Sequence, residues 1–207
     1  VTKSVTKCMA IEEFCVVTRK TVKKGSEKMN FSDSDILLRR EEKKKEKYNN
    51  LQDGYIVDGE VLQFENKKVL DSFSILLPVL FEQMPDDLAK IKYPIEFRPQ
   101  RIYTSQNLRV NFCFSLFPDN IGETDIHTAA ERMMAAIRRE NANCRIVAKN
   151  NLDEIGGYWF SFQSSAIDGN LYHMMLISKV DGHILHGTFN CPVEEVEQWK
   201  HIVLPVW

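Results

Sequence analysis

Ser164, His173 and Asn190 are the residues whose types and predicted placement come nearest to nucleophilic chemistry. A serine hydroxyl beside an imidazole can pass its proton to the ring, and a third polar group can orient that ring. The three lie in successive segments, 158–167, 171–180 and 183–190, separated by Asp168-Gly169 and Asp181-Gly182. Asp-Gly between alternating apolar runs favours a two-residue hairpin, because a type I′ turn needs positive φ at both central positions. Those turns predict a three-stranded meander in which Ser164 faces His173 and His173 faces Asn190. The same register sets Ala166 against Leu171, Phe162 and Thr188 against Met175, and Phe160 and His186 against Ile177. A catalytic serine also needs an oxyanion hole, and neither a nucleophile elbow nor a Gly-rich loop is present. Polar residues at the end of a sheet also mark where a core meets solvent, so no catalytic residue is assigned.

Cys191 is the other nucleophile candidate. It precedes Pro192, which is expected to open a C-terminal helix over 193–203, and a helix N-terminus lowers a thiol pKa. Glu194 and Glu195 in the first turn oppose a thiolate. Their presence favours Asn190 or Cys191 as a plain N-cap. The remaining cysteines are Cys8, Cys15, Cys113 and Cys144. An odd count, no CxxC and no histidine at zinc spacing point to free, buried thiols in a reducing, cytoplasmic setting. His127 and His201 have no carboxylate at ligand spacing, so neither a metal site nor a cofactor is expected. For binding, Arg98, Arg101 and Tyr103 stand out, in a segment that also holds Tyr93-Pro94 and Pro99. Arginine with tyrosine on a stiff loop is an interface composition, although a connector made soluble by arginine has the same look.

These candidates need elements to hold them. The meander carries Phe160, Phe162, Met175 and Ile177 on one side and Trp159, Met174, Leu176, Leu185 and Phe189 on the other. Both sides therefore call for cover. A helix capped by Glu123-Thr124-Asp125 and running to about Asn141 has the apolar stripe Ile126, Ala129, Ala130, Met133, Met134 and Ile137, and the C-terminal helix supplies the opposite layer. A strand from Cys144 to Ala148 follows the first of these. Upstream, Glu60–Phe64 and Val69–Leu77 read as a hairpin around a turn at Glu65-Asn66-Lys67. A short helix over 84–91 starts near Pro85. Arg101–Thr104 and Arg109–Phe117 read as a second hairpin, with Asn111, Cys113 and Ser115 on the exposed side of a half-buried strand.

The first 50 residues hold 13 Lys+Arg against 8 Asp+Glu, and residues 51–207 hold 14 against 21. Residues 1–54 are expected to be a basic extension with a charged helix at about 34–49, and 55–207 to be the folded domain. Residues 1–28 read as a peripheral arm with one strand at Phe14–Thr18. The run Lys43-Lys44-Lys45 fits a solvated helix face better than a phosphate contact. With 207 residues, a net charge of -2 and 43% hydrophobic residues, the chain has the balance of an ordinary globular protein. The net charge argues against nucleic acid as a partner. No apolar run reaches the roughly 20 residues that span a bilayer, and no signal peptide follows Val1, where a removed leader stays open.

Lys92-Tyr-Pro, Arg98-Pro-Gln, Asn111-Phe-Cys-Phe-Ser, Ala166-Ile-Asp-Gly and Gly187-Thr-Phe-Asn-Cys-Pro resemble a group of uncharacterised bacterial proteins, and the strand Phe73–Pro78 before a Met-Pro helix opens a broader likeness in element order. The element order is similar to the PsbP/Mog superfamily over residues 55–207. That resemblance implies an α+β fold, an antiparallel sheet of about 6–8 strands with helices on both faces. It implies a non-enzymatic, chaperone-like or protein-binding role with a protein partner, a homodimer being left open. The sheet or the Arg98–Tyr103 loop would be the contact surface. The competing class is a small hydrolase or ligand-binding protein using the Ser164–His173–Asn190 end of the meander.

Overall fold

The computed structural model describes residues 33–71, 73–94, 96, 98–118, 125–166 and 169–207. The expected arm and strand before residue 33 lie outside the described residues. Helix α1 (Asp33–Lys47) alternates acids and bases at helical spacing and buries none of its residues. Strands β1 (Asn49–Asn50), β2 (Gly54–Val57) and β3 (Glu60–Leu62) make a small sheet. Because β1 pairs with β2, that sheet spans the expected junction at residue 54. Strands β4 (Phe64–Leu70) and β5 (Phe73–Pro78) form a separate ribbon.

The main sheet follows. It comprises β6 (Glu82–Gln83), β7 (Arg101–Thr104), β8 (Asn111–Pro118), β9 (Arg145–Leu152), β10 (Gly157–Ala166), β11 (Gly169–Val180) and β12 (His183–Pro192). Its seven strands run in the order β6-β7-β8-β12-β11-β10-β9, and every pairing is antiparallel. Helix α2 (Asp86–Lys92) lies between β6 and β7, α3 (Ile126–Glu140) between β8 and β9, and α4 (Val196–Val206) after β12.

Both faces of the sheet are covered, as the paired apolar patterns required. Phe112, Phe114, Met174, Leu185 and Phe189 meet Trp199, Ile202 and Val203 of α4, with Val69 and Leu77 of the β4–β5 ribbon beside them. On the other face Tyr158, Phe160, Phe162 and Ile177 meet Ala130 and Met134 of α3. Farther along that face, Ile102 and Cys113 meet Met84 and Ala89. Each fully buried Phe, Leu or Ile contributes about 1.5–3 kcal/mol by leaving water. Asp125 caps α3 by accepting from the backbone N–H groups of His127 and Thr128.

Several expectations need correction. Glu65–Lys67 is no turn but part of β4, and the expected strand Val69–Leu77 is divided between β4 and its partner β5; Glu60–Leu62 pairs instead with β2, around a turn at Asp58-Gly59 where φ is 51° and 82°. Those two positive angles are what a type I′ turn demands, and the same Asp-Gly signal marked the place. Over residues 111–115 strand β8 is buried on both faces rather than half-buried, because α2 and its C-terminal turn cover Asn111 and Cys113, and Gln100 lies against Ser115. Asn190 and Cys191 cap nothing. They belong to β12, and a 3-10 turn at Val193–Glu195 precedes α4.

The second meander turn is as expected, with Asp181 at φ 48° and Gly182 at 70°. The first is displaced: Ala166 pairs with Gly169, so His173 faces Phe162 and Ser164 faces Leu171. A shift of two residues leaves every side chain on its own face, so core patterning does not distinguish the two registers.

Candidate functional site

Ser164 and His173 are brought together despite the displaced register. Ser164 Oγ and His173 Nε2 share a hydrogen bond at 3.0 Å along the diagonal of the β10–β11 pair. The imidazole lies flat on Phe162, with centroids 4.5 Å apart and planes 9° from parallel. Burial there pushes the imidazole pKa down to about 4. Such a ring is neutral at pH 7 but a poor general base, since catalysis favours a pKa near the working pH. Among the described residues no carboxylate reaches His173 to orient it.

Asn190 pairs with His173 across β11 and β12, as expected, but its side chain turns elsewhere. Its Oδ1 accepts from Asn111 Nδ2 at 2.8 Å, and its Nδ2 donates to Tyr93 Oη at 3.2 Å. Tyr93 Oη is 3.5 Å from Cys113 Sγ, while Lys92 Nζ donates to Asn111 Oδ1 at 3.3 Å and to the Leu108 carbonyl. Burial raises the Tyr93 pKa, pushes the Cys113 thiol up to about 11 and lowers that of Lys92. This is a closed polar knot that pins the end of α2 to the sheet. Its members come from Lys92-Tyr93, Asn111–Cys113 and Asn190, so three segments far apart in sequence meet in one place. Nothing in their spacing announced that meeting.

Cys191 is fully buried against the α4 layer. Burial first, then Glu195 and Glu194, pushes its thiol up to about 12, which leaves it protonated and unreactive at neutral pH. His127 packs edge-on against Tyr158, and His201 against Tyr55. Among the described residues no three His, Cys, Asp or Glu side chains converge as metal ligands would.

The arginine–tyrosine group divides. Arg98 and Arg101 line a cleft of about 320 Å³ beside α2, together with Lys90, Asp86, Gln83 and Gln100. Tyr103 is not part of it. Its ring is buried in the core on the α4 side, and its hydroxyl donates to the Lys68 carbonyl at 3.4 Å. Gln100 is anchored to β8: it brackets the Leu116 backbone, with its Oε1 accepting at 3.0 Å and its Nε2 donating at 3.2 Å.

The chain is therefore an α+β sandwich on a seven-stranded antiparallel sheet, with a Ser–His pair at β10–β11 and a basic cleft at β7 and α2 along the same face. No family model and no curated protein matches it. Among solved structures, the Ran-binding protein Mog1p of Saccharomyces cerevisiae is similar, with 8% identity and a TM-score of 0.46 over 67% of this chain and 83% of its own. Cyanobacterial PsbP (CyanoP) from Synechocystis has 10% identity and a TM-score of 0.48 over 74% and 94%. A Pseudomonas aeruginosa protein of unknown function has 9% identity and a TM-score of 0.41 over 70% and 96%. At this level of similarity they carry no argument about function, and the architecture stands on the strand order and packing above. No described helix is long and apolar enough to cross a membrane.

Proposed function

We propose that the chain is a non-enzymatic protein-interaction module, with α2 and the adjoining Arg98–Arg101 segment as its contact surface. The carrying observation is that α2 displays Leu88 and Ile91, 40% and 76% exposed, on adjacent turns. The central strands of the main sheet are packed against helices and the ribbon, which favours α2 over the sheet as the surface. Residues 1–54 are read as a basic extension to the domain at 55–207. A reducing, cytoplasmic setting is supported by Cys113, Cys144 and Cys191, all free thiols.

The test is affinity capture from the native lysate with the wild-type chain, Ser164→Ala and Leu88→Asp/Ile91→Asp. The same protein should come down with the first two and be lost with the third. Equal recovery by all three overturns the assignment to α2.

One observation favours a second reading, a small hydrolase: the 3.0 Å contact between Ser164 and His173. Hydrolysis of a short-chain ester that Ser164→Ala abolishes would establish it in place of the first.

A further inference from the structure

We propose that the cleft between α2 and the start of β7 binds the carboxylate side chains of an acidic peptide segment; this names the partner chemistry of the interaction module above and rests on that reading. The cleft is walled by Lys90, Arg98 and Arg101, with Asp86 as its one acid, over a floor that includes Met84 and Ile102. At about 320 Å³ it holds a few side chains of a peptide rather than a folded surface.

The charge balance singles it out. Residues 51–207 hold 14 Lys+Arg against 21 Asp+Glu, so an acidic segment meets net repulsion from the body. A cleft with basic walls over a floor that includes apolar side chains concentrates the opposite field in one place. Several other basic side chains already face carboxylates: Arg109 has Glu194 at 2.7 Å and Glu195 at 3.1 Å, Lys149 has Glu131 at 2.6 Å, and Lys90 of the cleft itself has Asp87 at 3.9 Å. Among the described residues Arg98 and Arg101 have no such carboxylate. Arg101 Nη1 donates to the Gln100 carbonyl at 2.9 Å, which leaves the rest of its planar fork for a ligand.

The wall is also preorganised. Pro99 stiffens it, Gln100 grips the Leu116 backbone, and the Gln100 N–H donates to Ser115 Oγ at 3.3 Å. Ordering that would otherwise be charged to binding is already done.

The experiment is fluorescence anisotropy on the full chain. The probe is a fluorescein-labelled peptide of alternating Glu-Glu and Leu-Leu pairs, compared with its Gln-for-Glu counterpart. The Glu peptide should bind at least about tenfold more tightly than the Gln peptide, and Arg98→Gln/Arg101→Gln should weaken it by about tenfold. Arg145→Gln, an exposed cation on β9, should leave it unchanged, and all variants should keep the wild-type unfolding midpoint. Equal affinity for both peptides, an equal loss in Arg145→Gln, or no binding overturns the proposal. If no peptide binds but a protein is still captured through Leu88 and Ile91, this proposal falls and the module reading survives. If the peptide binds through Arg98 and Arg101 but no protein is captured, the cleft chemistry stands and the module reading falls.

Discussion

Asn111 and Asn190 are joined by a 2.8 Å amide hydrogen bond between β8 and β12, at a place where both side chains are buried beneath the end of α2. Because each amide is also bonded to a residue of α2 or its C-terminal turn, the pair couples helix and sheet. Asn190→Ala would remove the shortest bond of Asn111 Nδ2 and the amide donor to the Tyr93 hydroxyl, leaving them only the longer contacts to the Arg109 carbonyl at 3.4 Å and to Cys113 Sγ at 3.5 Å. A loss of about 1–3 kcal/mol is expected in urea unfolding. A variant as stable as the wild type would show the knot to be incidental.

Trp207 lies over Gly187, and a Cβ built at that glycine would come within 2.6 Å of the indole ring. The ring also meets Phe112 and Phe114 edge-on. Gly187→Ala should therefore destabilise by about 1–3 kcal/mol through overpacking. With Trp207→Ala also present, the combined cost should be less than the sum of the two single changes, as a double-mutant cycle would read it.

His173 makes stability depend on pH. Its folded pKa is lowered by burial to about 4 from 6.5, so the unfolded chain binds the proton more readily. Stability from this residue is complete above pH 6.5 and is lost as pH falls toward 4, by up to about 3 kcal/mol. Burial lowers the pKa of His186 too, with the same sign. In a His186→Gln background, His173→Gln should flatten the remaining dependence between pH 6.5 and 4. An unchanged slope would contradict the burial argument.

The thiols should rank by access. Cys113 and Cys191 are buried, with pKa values pushed up to about 11 and 12, whereas Cys144 is half-buried. In a Cys8→Ser/Cys15→Ser chain, a bulky thiol reagent at pH 8 should label Cys144 first. Cys113 and Cys191 should react only as the protein unfolds, and peptide mapping of the labelled chain would distinguish them.

Local chemistry carried much of the fold in advance. Asp181-Gly182 set its hairpin because the turn needs positive φ at two positions, and Asp125 capped α3 because its carboxylate reaches the first free N–H groups. Alternation in the meander required cover on both faces, and α3 and α4 supply it. Asp58-Gly59 carried the same signal as the later turns, so that hairpin was legible too. Other features had no local cause. Register at the first meander turn slipped by two residues, which alternation cannot detect because every side chain keeps its face. Ser164 and His173 meet on the diagonal of that pair, while Asn190 is drawn away by Asn111 and Tyr93. Tyr103 and Arg101, two residues apart, differ because one ring is covered by the ribbon and the other side chain lies at the sheet margin. Those outcomes were decided by packing between distant segments, where the need to satisfy buried polar groups outweighs spacing along the chain.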